Sequence, residues 1–182
     1  MQGGSVFKKR LYVTAASFAL AFQANAAEPG TAPVPTGVGA IAGCWEGRGE
    51  VMGKPVTMAA VAKLILHDAM LSLDAESNAI ADPSDKYAAH LVFGGASKQP
   101  DSAVDSVTGF WADSFGGAFT ASGRGESFNS GFDITYDYPE ADFVNRWRRT
   151  GDRLEWQIVM TDGASAERPF ARYLLNKVAC NS

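Results

Sequence analysis

Between residues 41 and 178 apolar and polar positions alternate with a period of two, the period of a β-strand that buries one face. Ile41, Gly43, Trp45, Gly47, Gly49 and Val51 fall on one face of a first strand, and Cys44, Glu46, Arg48 and Glu50 on the other. Gly53-Lys54-Pro55 then supplies a turn. Residues 56–66 are ambiguous on composition, because Ala59, Ala60 and Ala62 favour helix, and a strand is expected there. Strands follow at 70–74 and 86–93, parted by the polar loop Asp82-Pro83-Ser84-Asp85. Further on, Val107, Gly109, Trp111 and Asp113 alternate with Thr108, Phe110 and Ala112, and Phe115-Gly116-Gly117 turns the chain into a strand at 118–123. Phe132, Ile134, Tyr136 and Tyr138 alternate with Asp133, Thr135 and Asp137 until Pro139 ends the run. Residues 143–149, Thr150-Gly151-Asp152 and 154–161 read as a hairpin, with Leu154, Trp156, Ile158 and Met160 on one face. Residues 169–178 form the last strand. About ten short antiparallel strands with few helical windows make an all-β chain. It either stacks as a sandwich or closes into a barrel, and closure removes the exposed edges.

The N-terminus changes the setting. Lys8, Lys9 and Arg10 precede a stretch of about 12 largely apolar residues and then Ala24-Asn25-Ala26. This is the layout of a cleaved export signal over residues 1–26, too short for a membrane-spanning helix of roughly 20 residues. Residues 27–40 are rich in Pro and Gly and are expected to be an unpacked lead-in. A single domain then fills residues 41–182. Ile41-Ala42-Gly43-Cys44 matches a lipobox, but it lies about twenty residues beyond the apolar stretch, where a lipid-attaching peptidase would not read it. The whole chain carries a net charge of −4; residues 1–26 hold three basic and no acidic residues, so cleavage leaves about −7. An acidic surface disfavours nucleic acid and anionic membranes as partners. A periplasmic or secreted location is expected, and oligomeric state is open.

Cys44 and Cys180 are the only cysteines. In an exported chain they read first as one disulfide. Two free thiols are the alternative, and a metal pair lacks accompanying His or carboxylate ligands; no metal site is expected.

Gly43-x-Trp45-x-Gly47-x-Gly49 at the start of the first strand resembles the opening of calycin barrels, the lipocalins, fatty-acid-binding proteins and bacterial nitrobindin-like domains. The hairpin from Asn145-Arg146-Trp147 to Leu154-x-Trp156 is similar to their closing strands. The resemblance implies a ten-stranded up-and-down barrel whose Trp45 plugs one end, and a small hydrophobic or amphipathic ligand inside. Nitrobindins hold haem through a His near the C-terminal end of the barrel. Here the only His residues are His67 and His90, and the last strand offers Tyr173 instead, so no cofactor is expected and haem is the lesser reading.

The candidate ligand-binding residues are Trp45, Trp111, Tyr136, Arg146, Trp147 and Trp156. The aromatics would line a cavity or fill a core. One inward guanidinium from the Arg146–Arg148–Arg149 group would clamp a ligand carboxylate, but strand parity does not say whether Arg146 or Trp147 faces inward. No catalytic constellation is visible. His67-Asp68 are neighbours that point apart on a strand, and Asp133 and Asp137 stand roughly 13 Å apart along theirs. A barrel enzyme of isomerase or cyclase type and a filled envelope module stand as alternative functions.

Overall fold

The computed structural model describes residues 33–96, 105–162 and 166–180; the expected signal over residues 1–26 lies outside them. Ten antiparallel strands close into one barrel: β1 (Gly43–Val51), β2 (Lys54–Ile65), β3 (Met70–Ala79), β4 (Lys86–Gly95), β5 (Asp105–Asp113), β6 (Ala121–Phe128), β7 (Gly131–Asp137), β8 (Asp142–Thr150), β9 (Arg153–Thr161) and β10 (Arg168–Val178). Each pairs with its sequence neighbour, and β1 pairs with β10 to shut the cylinder. The ambiguous segment at 56–66 is strand, because Val56, Met58, Ala60 and Ala62 are buried while Thr57 and Ala59 are exposed. No helix among the described residues is long and apolar enough to cross a membrane.

One end of the barrel is sealed. Residues 33–40, expected as an unpacked lead-in, instead pack against that end through a single helical turn, α1 (Thr36–Gly39). Val38 and Ile41 are fully buried, and burying two aliphatic side chains contributes several kcal/mol, at about 1.5–3 kcal/mol each. Polar anchors hold the turn: Val34 N–H donates to the Asp68 carbonyl at 3.1 Å, Gly37 N–H donates to Ser127 Oγ at 3.1 Å, and Arg149 Nη1 donates to the Ala40 carbonyl at 2.6 Å. Pro and Gly content marks the segment as irregular but does not reveal Val38 as a docking residue, and Ile41, expected to open the first strand, lies instead in the turn before β1.

Trp45 sits directly above this seal, with no exposed surface. Its Nε1 donates to the Ile41 carbonyl at 2.8 Å, and the Arg149 guanidinium and Lys177 ammonium lie 5.8 and 5.9 Å from the ring. Cys44, one position away, lies at disulfide distance from Cys180, with Cα atoms 5.3 Å apart. The bridge reinforces the β1–β10 seam at its sealed end, where Cys44 is in register with Val178.

A column of aromatic rings rises from the seal. Phe132 stacks on Trp147 (centroids 5.8 Å apart), and Trp147 stacks on Trp156 at 4.2 Å. Phe93 packs edge-on against both Phe132 and Trp147. Such pairs add roughly 0.5–1.5 kcal/mol each beyond their burial. The lower half of the barrel is thus a solid core, and its top surface is Trp156.

Candidate functional site

Above Trp156 the interior is open. A cavity of about 800 Å³ opens at the end where β1 meets β2 and β7 meets β8, within the range of pockets that hold small molecules. Its walls differ in side-chain size. Val56, Ser77 and Ala79 on β2 and β3 are short, whereas Trp111, Tyr136, Phe143, Trp156 and Tyr173 on the far side are large. Two glycines let the tyrosines lie flat against the wall. A Cβ at Gly49 would come within 2.5 Å of Tyr173 Cδ1, and one at Gly123 within 2.8 Å of Tyr136 Cδ1. With those rings pressed outward, the middle of the barrel stays empty.

The polar groups of the cavity are few. Asn145 is buried, and its Oδ1 accepts from Trp156 Nε1 at 2.8 Å, which fixes the ring that forms the floor. Asp113, at the rim, accepts three hydrogen bonds: from Trp111 Nε1 at 3.0 Å, from Tyr87 OH at 3.3 Å and from the Phe115 N–H at 2.9 Å. Tyr138 OH donates to the Phe119 carbonyl at 2.9 Å and ties the β5–β6 loop to the β7–β8 corner. The Tyr136 hydroxyl is buried and has no hydrogen-bond partner, an unusual state for a buried polar group.

Burial pushes the phenols of Tyr87, Tyr136 and Tyr173 well above the usual tyrosine range, and the neighbouring Asp113 carboxylate adds to the effect on Tyr87. A raised folded-state value means these phenols favour the fold fully below the unfolded value of about 10, and that contribution fades as pH rises above it. In an alkaline titration followed by phenolate absorbance, these three tyrosines are therefore expected to ionise only as the barrel unfolds. Ionisation of all tyrosines near pH 10 with the far-ultraviolet spectrum intact would contradict this.

The six sequence candidates separate into three groups. Trp111, Tyr136 and Trp156 line the cavity. Trp45 and Trp147 are fully buried in the core beneath it. Arg146 is on the outer surface, where its guanidinium pairs with Glu167 through both Nη atoms and lies 4.0 Å from Asp133; the Glu167 bond raises the arginine above its ordinary value. Arg148 likewise pairs with Asp133. Arg146, one candidate for an inward carboxylate clamp, therefore faces away from the cavity: Trp147 and Arg149 take the inner face of β8, and Arg149 serves the seal. Asn145 and Asp113 are absent from the sequence candidates, although each follows from parity, Asn145 with Trp147 and Asp113 with Trp111.

Neither histidine reaches the cavity. His67 is in the β2–β3 turn with a positive φ of 57°, and His90 pairs with Asp74 at 2.7 Å on the exposed face. A haem would need a ligand and cations for its acidic groups. Tyr173 is a buried phenol with a strongly raised pKa, and among the described residues Lys54 is the one basic residue in the lining. These residues do not fit haem. Among the described residues no group of three or more His, Cys, Asp or Glu is placed to hold a metal ion.

The geometry gives a ten-stranded closed barrel, sealed at one end and hollow at the other. Comparison with known proteins adds no identity to it: no protein-family model and no curated protein matches the chain.

Proposed function

We propose that this protein is an exported, calycin-like carrier that binds a small hydrophobic or amphipathic molecule in the open half of its barrel. The supporting observation is the cavity of about 800 Å³ walled by Trp111, Tyr136, Phe143, Trp156 and Tyr173. Aromatic walls with a few fixed polar groups are the usual make-up of such sites. A filled envelope module does not account for that space. The two cysteines at disulfide distance fit an oxidising compartment, periplasmic or extracellular.

Native mass spectrometry of protein extracted without denaturant tests the reading: a retained small molecule is expected. A ligand-free mass, combined with no change in tryptophan fluorescence across fatty acids and retinoids, would overturn it.

The Tyr136 hydroxyl gives a second check. Leaving a buried donor unpaired costs about 1–3 kcal/mol, so Tyr136→Phe is expected to stabilise the ligand-free protein by about 1 kcal/mol in chemical denaturation. The hydroxyl has no surface open to the cavity, so ligand binding is expected to persist in the variant. Destabilisation by Tyr136→Phe would mean that the hydroxyl is already satisfied.

A further inference from the structure

Three carboxylates, Asp85, Asp113 and Glu140, lie in the lining of the cavity, against one base, Lys54. Lys54 is exposed, with Nζ 3.9 Å from Asp85, and among the described lining residues no other basic side chain accompanies Asp113 and Glu140. The arginines a carboxylate ligand would need are elsewhere: Arg146 and Arg148 on the outer surface, Arg149 at the sealed end. The chemistry of the mouth is thus acidic and aromatic.

We infer that the cavity takes an amphipathic amine, an apolar or aromatic body bearing one cationic nitrogen, with that nitrogen seated on Asp113. The inference rests on the carrier reading above and names its ligand class. Asp113 is preoriented for the role. A carboxylate has about four acceptor positions, and three donors on other groups leave room for one more. Those donors, Trp111, Tyr87 and the backbone of Phe115, also fix where the free position lies. Around it stand the rings of Tyr87, Trp111, Phe115 and Tyr138, with Tyr87 and Phe115 centroids 5.7 Å apart. Aromatic faces beside a carboxylate are a favourable environment for an ammonium group. The apolar body has its own surface: the rings of Phe143, Trp156 and Tyr173 line the same cavity.

Three probes of one chain length separate the possibilities: decylamine, decanol and decanoate, titrated at neutral pH with tryptophan fluorescence as the readout. Decylamine is expected to bind at least about tenfold more tightly than decanoate, with the advantage shrinking as salt is added. Asp113→Asn is expected to abolish that advantage, and decanol binding in the same variant reports whether the cavity still forms. Decanoate binding as tightly as decylamine overturns the amine assignment and leaves the carrier reading standing. Failure of all three to bind overturns both. Because Asp113 also anchors the β5–β6 loop through Phe115, the asparagine variant is open to misfolding. The wild-type ranking of amine against acid decides the matter without it.

Discussion

Replacing Cys180 with Ser lowers the unfolding free energy by about 5 kcal/mol, the loop-closure entropy of a cross-link over this span. The two cysteines are 136 residues apart, so an unbridged unfolded chain regains nearly the full freedom of the domain. The location sharpens the effect. β1 and β10 are the first and last strands, and their pairing is the step that turns a sheet into a cylinder. Cys44 lies at the end of that seam beside the buried Trp45, so without the bridge the seam is free to open from the sealed end. Guanidinium denaturation of the oxidised wild type, the reduced wild type and the Cys180→Ser variant measures it. The last two are expected to coincide, and reductant is expected to leave the variant unchanged. A loss below about 1 kcal/mol would show that the strand ladder holds the seam by itself.

Much of this arrangement can be read in the chain, because the physics behind it is local. A period of two places Val107, Gly109, Trp111 and Asp113 on one face whatever the rest of the fold does, and that face proves to be the inner one. Parity does not reveal which face is inner, and β8 shows why. Arg146 and Arg148 alternate with Trp147 and Arg149, so each face carries an arginine; the inner choice depends on Trp147 stacking between Phe132 and Trp156, rings that come from other strands. Parity fails outright at β10. A register shift between Pro169 and Ala171 brings Phe170 into the cavity wall, and a bulge leaves no reliable mark in a single sequence. The hollow itself is a matter of size across strands. It exists because Gly49 and Gly123 accept the flat faces of Tyr173 and Tyr136 from neighbouring strands, and that pairing appears only once register is known.

Trp45→Ala is the substitution within the core expected to cost most, about 3–5 kcal/mol. The side chain is wholly buried at the sealed end, so truncation leaves a void that the sealed end cannot collapse to fill. The indole N–H bond to the Ile41 carbonyl is lost as well, and with it the ring faced by Arg149 and Lys177. The informative comparison is Trp111→Ala. Trp111 is also nearly buried, at 7% exposure, but one side of it borders the existing cavity, so its removal enlarges a space already present instead of creating one. Since the cost of truncation grows with newly created cavity, Trp111→Ala is expected to be milder than Trp45→Ala by at least about 1 kcal/mol. Only Trp111→Ala is expected to weaken ligand binding. Urea denaturation and fluorescence titration of both variants measure the two effects. Equal stability losses would mean that the open half is as tightly filled as the sealed half. Loss of binding in a still-folded Trp45→Ala variant would mean that the seal and the cavity form one coupled unit rather than a plug beneath a pocket.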